Sequence, residues 1–207
     1  GSDQIISSNS IALGAYIKTL GGMPINLGIA RDNEDSLRSV FDSARGADLL
    51  ITMGGASVGD YDLVRKVLSR KGMDLGFYKV AMRPGKPLIF GHLDGIPVLG
   101  LPGNPVSTGV TSAIFLQAAM SVMLGSRINI NTPTTAILGR NLEANDFRQD
   151  YLRSSLATDT NGDLVVIPFE RQDSAMTERF AKADCLVVRS PEAPAAAEGD
   201  RVKIVML

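Results

Sequence analysis

The apolar positions follow two rhythms along the chain. Behind Ser8 and Asn9, which can cap a helix, Ile11, Ala12, Ala15, Tyr16 and Leu20 recur at helical spacing until Gly21-Gly22 ends the run. Residues 24–30 read as a strand. Asp32 or Asn33 can then cap a second helix, in which Leu37, Val40, Phe41 and Ala44 form one apolar stripe. Residues 48–53 are continuously apolar after Asp48, the pattern of a strand buried on both faces, and the run stops at Gly54-Gly55. A third helix carries Leu63, Val64, Val67 and Leu68. Residues 77–82 look like a strand, and residues 88–91 and 96–100 form a hairpin around residues 92–95. A sharp bend at residues 101–105 opens a long helix that runs to about Leu124.

Helices alternating with apolar strands predict an α/β fold: a three-layer domain with a largely parallel sheet over residues 1–127. Past Gly125 the character changes. Residues 133–142, 150–158, 164–169, 185–189 and 201–207 are short β-like runs separated by turns such as Asn161-Gly162-Asp163. They predict a small all-β domain over residues 128–207. No internal repeat is visible.

Composition narrows the function. The 207 residues carry 21 Lys+Arg against 22 Asp+Glu, so nothing in the overall charge suggests nucleic acid or an anionic membrane as partner. A 44% hydrophobic and 21% charged chain can bury a core. Residues 106–124 come closest to a membrane span, but Ser107, Thr108, Thr111, Ser112 and Gln117 interrupt them. The cytoplasm is the default compartment. One cysteine, Cys185, and one histidine, His92, exclude disulfide frameworks and His- or Cys-cluster metal sites. His92 reads as a surface residue and Cys185 as a small core residue.

Three loops could carry chemistry. Residues 54–62, GGASVGDYD, leave a strand and enter a helix. Gly54, Gly55 and Gly59 would let a phosphate approach the backbone, and Ser57 adds a hydroxyl. Asp60 and Asp62 beside such a cradle imply a divalent cation, Mg²⁺, between them and the ligand. Residues 79–87, KVAMRPGKP, place Lys79, Arg83 and Lys86 within eight positions, with Pro84 and Pro87 stiffening the turn. Strand alternation would put Lys79 and Arg83 on one side, as an oxyanion clamp requires. Residues 101–107, LPGNPVS, are again a strand end running into a helix start, where Asn104 and Ser107 could meet an anion. Each loop has a structural reading as a capped or solvated turn. All three should open on one crevice beyond the strand ends.

These three motifs, in this order, resemble the molybdopterin molybdenumtransferase family, the MoeA/gephyrin E-domain type, and the resemblance runs from about Gln4 to the C-terminus. It implies that adenylylated molybdopterin and molybdate react, with a divalent cation, to give molybdenum cofactor and AMP. Asp32 and Asp62 match family carboxylates acting on Mg²⁺ and the pyrophosphate, and Lys79 matches a family lysine. Arg83 stands where a lysine is common. The remaining loop residues, Gly54, Gly55, Ser57, Gly59, Pro84, Lys86, Asn104 and Ser107, fall on the substrate-binding side. In the tail, Arg153 of Arg148-Gln149-Asp150-Tyr151-Leu152-Arg153 and Ser174 of Gln172-Asp173-Ser174 match molybdate-contacting positions. Family members carry a further strand ahead of residues 4–9, and N-terminal domains that supply more carboxylates, partly across a homodimer. The expectation is therefore a C-terminal portion, not competent alone, that receives its substrate from a molybdopterin adenylyltransferase partner. Two alternatives stay open: a molybdopterin adenylyltransferase-like domain, which would lack the β tail, and a gephyrin-like scaffold module, which would need an exposed apolar groove.

Overall fold

A computed structural model describes residues 9–54, 61–125, 134–173 and 177–207, with residues 61 and 62 by backbone alone. Its first half is a four-stranded sheet with helices on both faces. Helix α1 (Asn9–Thr19) ends where Gly21, in the left-handed region, lets the Gly21 and Gly22 amides bond back to Lys18 and Ile17. Helix α2 (Glu34–Asp42) starts on Asn33, whose side chain accepts from the Ser36 amide at 2.8 Å. Strand β1 (Leu50–Met53), helix α3 (Tyr61–Arg70), strand β2 (Asp74–Tyr78), the two-residue strand β3 (Met82–Arg83) and the hairpin β4 (Ile89–Leu93) and β5 (Ile96–Leu101) follow. The hairpin turns on Asp94-Gly95, both at positive φ.

Alternation along β5 sorts the core. Val98 faces Leu37, Phe41, Val67 and Leu68 of α2 and α3. Leu99 and Leu101 face the opposite way, onto α1 and helix α4 (Pro105–Met123). Within α4 one wide turn, Ser112–Leu116, is a π-helix. This helix is long and apolar enough to cross a membrane, yet Val106, Val110 and Leu116 are fully buried inside the protein. Two of its buried hydroxyls bond to backbone: Thr108 Oγ1 donates to the Pro102 carbonyl at 2.6 Å, and Thr111 Oγ1 to that of Ser107 at 2.7 Å.

The second half is a closed five-stranded barrel, not an extension of a layered parallel fold. Strands β6 (Thr134–Leu138), β7 (Gln149–Thr158), β8 (Leu164–Pro168), β9 (Cys185–Arg189) and β10 (Arg201–Met206) close in the order β7-β8-β6-β10-β9, with β9 returning to β7. Ala136, Leu138, Val166, Cys185, Val187 and Ile204 fill its interior. Burial pushes the Cys185 thiol up to about 11, as befits a core residue. A short helix α5 (Thr177–Ala181) lies against α4. Strand β3 pairs parallel with the start of β7, Met82 with Gln149 and Arg83 with Asp150, so the bend at residues 79–87 is stitched to the barrel.

Several expectations are overturned. The first sheet, ordered β1-β5-β4-β2, is mixed rather than largely parallel: only β1–β5 is parallel, because a two-residue turn makes β4–β5 antiparallel and β2 also runs antiparallel to β4. Residues 24–30 form no strand; among the described residues no neighbouring edge bonds them, and Ile25 and Ile29 stand exposed. Strand β1 has one neighbour among the described residues, and of its own residues only Leu50 is buried. The strand expected over residues 77–82 stops at Tyr78, where Lys79 takes φ +67. His92 lies within β4, exposed as expected, with its ring edge-on to Phe90.

A methyl group on Gly109 would overlap the Phe180 ring, so α4 and α5 approach closely because position 109 has no side chain. Gly109→Ala should therefore destabilise the protein by about 1–3 kcal/mol despite alanine's better helix propensity. Denaturant unfolding checks this, and Phe180→Leu in the same chain should recover part of the loss.

Candidate functional site

Strand register decides where the three loops go. Thr52 pairs with Gly100, Gly100 with Ile89, and Ile89 with Tyr78, which makes one row across the sheet. The bends after β1, after β2 and after β5 all leave beyond that row, from the same sheet edge. Two of them touch. The Gly54 amide donates to the Leu101 carbonyl at 3.3 Å, and the Gly54 Cα lies 3.0 Å from where a Cβ on Gly103 would sit. The basic bend reaches the same helix: a Cβ on Gly85 would meet Thr111 of α4. Gly55, Ser57, Gly59 and Asp60 lie outside the described residues, as does Ser174, and of Asp62 only its place in the first turn of α3 is described.

The bend holds its three cations differently. Lys79 sits in left-handed backbone with its ammonium 4.7 Å over the Tyr78 ring, and Arg65 of α3 lies 5.2 Å over the same ring. Arg65 follows Asp62 by three positions, one helical turn on, and so shares its helix face; that spacing was the available clue to it. Lys86 is exposed, and its carbonyl accepts from the Val80 amide. The alternation that would put Arg83 on one side with Lys79 does not run, because β2 stops at Tyr78. The Arg83 guanidinium bonds Asp150 through Nε at 3.1 Å and also through Nη2, and reaches Asp146 at 3.3 Å. Asp150 is buried. Arg83 is thus a tie between bend and barrel, and its pairing with residues 63 and 67 positions later left no mark in the sequence.

At the third loop, Pro105 lacks an N–H, the Asn104 side chain accepts from Val106 at 3.2 Å and its carbonyl from Thr108. Asn104 is therefore a helix cap, and Ser107 is the remaining donor of that turn. Asp32 lies in an exposed bend two residues before Glu34, which pairs with Arg70 in the last turn of α3. Asp62 stands in the first turn of that helix. No group of three or more His, Cys, Asp or Glu able to hold a metal occurs among the described residues. The described residues do not by themselves fit a Mg²⁺ cage, and the side chain of Asp62 lies outside them.

The barrel supplies the most unusual group. Arg153 is fully buried, yet among the described residues its Nε and Nη1 have no hydrogen-bond partner, while Nη2 donates to the Asp173 carbonyl at 3.2 Å. Its backbone is clamped by Gln172, which accepts from the Arg153 amide and donates to the Arg153 carbonyl, both at 2.9 Å. Burial lowers the guanidinium's pKa, Asp173 opposes that, and the neighbouring Arg179 adds to it. A buried guanidinium with two idle donors is costly unless an anion completes it.

Known proteins resemble the chain over both of its halves. A family profile described as "Probable molybdopterin binding domain" matches residues 2–121, and one described as "MoeA C-terminal region (domain IV)" matches residues 135–207. The chain belongs to the molybdopterin-binding domain family and is MoeA-like. A molybdopterin molybdenumtransferase of Haemophilus influenzae is 34% identical over 98% of this chain and 50% of its own length. One of a Nostoc species is 41% identical over 59% of this chain and 29% of its own. The crystal structure of the molybdopterin biosynthesis MoeA protein from Pyrococcus horikosii superposes with TM-score 0.81 at 28% identity, over 98% of this chain and 48% of that one. The chain thus spans about half the length, or less, of the relatives it matches.

Arg83→Gln should strip a buried carboxylate of its partner and destabilise the fold by about 2–3 kcal/mol. Asp150→Asn in the same chain should restore part of this, as read by denaturant midpoints. Hydrogen bonds from Arg148, chiefly, together with the charges of Arg148 and Arg83, hold the Asp146 carboxyl down from 3.8 to about 2. Because the folded value is lowered, its contribution is complete above about pH 4 and disappears as pH falls toward 2. Carbon-13 titration of Asp146 should show a midpoint well below that of an exposed aspartate.

Proposed function

We propose that this chain is the substrate-carrying region of a molybdopterin molybdenumtransferase, which inserts molybdate into adenylylated molybdopterin and releases AMP. The observation that carries the reading is the buried Arg153 guanidinium with its idle Nε and Nη1, a site made for an oxyanion, on a barrel that shares α4 with the three-loop edge. Molybdate is a dianion and AMP release breaks a phosphoanhydride, so the reaction asks for cations and N–H donors at oxyanions and for no nucleophilic side chain. Lys79 and Lys86 hold the phosphate side, Ser107 donates from the α4 start, and Gly54 leaves room for the ligand. Asp62 stands at the mouth of the loop before α3, and Asp32 remains a candidate carboxylate on the α2 side. Arg153, with Ser174, receives molybdate. No step here runs through Mg²⁺.

The activity itself, a homodimer and delivery by an adenylyltransferase partner in the cytoplasm belong to the longer protein and to this proposal. An adenylyltransferase-like role is disfavoured by the barrel and by the relatives' names, since the Haemophilus match runs through the barrel.

Titration calorimetry tests the reading. The chain should bind AMP and molybdate separately. Arg153→Gln should weaken molybdate at least about thirtyfold, the scale of lost charge-assisted hydrogen bonds, and leave AMP unchanged. Equal molybdate binding by both proteins would overturn the assignment.

A further inference from the structure

The loop beside Arg153 carries a second cation that neither the motifs nor the resemblance singled out. Two guanidinium groups reach one short stretch of chain. Arg153 Nη2 donates to the Asp173 carbonyl at 3.2 Å, and Arg179 Nη1 donates to the Arg171 carbonyl at 3.3 Å. Gln172, between those carbonyls, grips the Arg153 backbone on both sides and also donates to the Phe169 carbonyl at 2.8 Å. The stretch is thus fixed to β7, and both cations are fixed to the stretch. Arg179 is half-buried on α5, next to Phe180, which packs over Gly109 of α4. Its position is therefore set by the same helix that gathers the three loops.

The charges decide what such a site prefers. Arg153 and Arg179 are like charges close enough to act on each other, and Asp173 is the carboxylate acting on Arg153. Asp173 offsets the charge of Arg153 and Glu178 lies in the field of Arg179, and Arg179 is the second cation acting beside two idle, buried donors. Hydrogen-bond donors alone recognise tetrahedral shape; they separate a dianion from a monoanion of the same shape only weakly. A second fixed cation acts on charge, and burial strengthens it.

We propose that Arg179 is a specificity-determining residue of the oxyanion site, the group that makes it select doubly over singly charged tetrahedral oxyanions. This rests on the oxyanion reading of Arg153 made above.

Molybdate and perrhenate test it, being tetrahedral oxyanions of similar size that carry two charges and one. Equilibrium dialysis of the full 207-residue chain against each should show molybdate preferred by roughly tenfold or more, the effect of one charge-assisted contact. Arg179→Gln, in a side chain that makes one backbone contact, should keep the fold by circular dichroism. It should lower molybdate affinity about tenfold and leave perrhenate within about twofold, so that the preference collapses. Arg179→Lys should restore most of it. A preference unchanged in Arg179→Gln overturns the role of Arg179 while the Arg153 reading stands. An equal loss of both anions also overturns it, since that marks a structural effect. If the unaltered chain binds neither anion, the oxyanion reading falls and this inference with it.

Discussion

The structure depends on how closely other segments can approach the first two turns of α4. That helix is packed on both sides. Leu116 and Met120 meet Leu99 and Leu101 of the sheet, and Val106 and Val110 meet Tyr151, Leu186 and Val205 of the barrel wall. Side chains alternate on β9, so Cys185 and Val187 fill the barrel while Leu186 points out onto α4. Small residues set the distances: Gly103 against Gly54, Gly109 against Phe180, and Gly85 against Thr111. At about 1.5 Å of rise per residue these three contacts fall within roughly 12 Å along the axis. One helix thereby sets the spacing of two loops, the basic bend and the barrel's helix.

Within that frame, five arginines and lysines that look alike in sequence divide by what surrounds them. Arg83 meets a buried carboxylate and a half-exposed one, and its charge is spent on joining the halves. Lys79 and Arg65 rest over one aromatic ring. Arg153 has burial without full partnership, and Arg179 stands in its field. An ion pair like that of Arg83 can sit unchanged through a reaction cycle. A buried cation without an anion is a higher-energy state that binding relieves, and this is the physical reason to place ligand chemistry at Arg153 rather than at Arg83.

Local patterns made much of this legible. Helices α1 to α4, the Asp94-Gly95 turn and the five barrel strands are written in caps, glycines and alternation, and the bounds of β9 coincide with the predicted run. What failed was pairing. Residues 24–30 have the composition of a strand, but a strand needs an edge to bond, and sequence shows no edges. The hairpin of β4 and β5 was legible, but it was not carried into the order of the first sheet, and where β2 then ran had no local signature. Lys79 and Arg83 seemed to share a face only while β2 was taken to continue past Tyr78. The Arg83–Asp150 pair arises from β3 joining β7, a contact across 67 residues with no local signature. In the candidate site, the loop residues Lys79, Lys86 and Ser107 were readable from charge and helix starts; Arg179 was not, because its meaning comes from Arg171 and Arg153.

The two ends of the site differ in kind, and the difference follows from how each is built. At the sheet edge, the ligand contacts proposed above would come from loops and from lysines on flexible stems, which can adapt to a phosphate chain. At the barrel, the contact is a planar guanidinium whose backbone is locked by Gln172 into the β7 ladder, with no freedom to follow a ligand. A rigid donor set at one end and a yielding one at the other suits a reaction in which a large substrate is anchored loosely and a small symmetric ion must be held in one place. Because α4 packs against both ends, an ion held at Arg153 as proposed would be placed relative to a substrate at the sheet edge by helix packing, and precision at the barrel would not require precision in the loops.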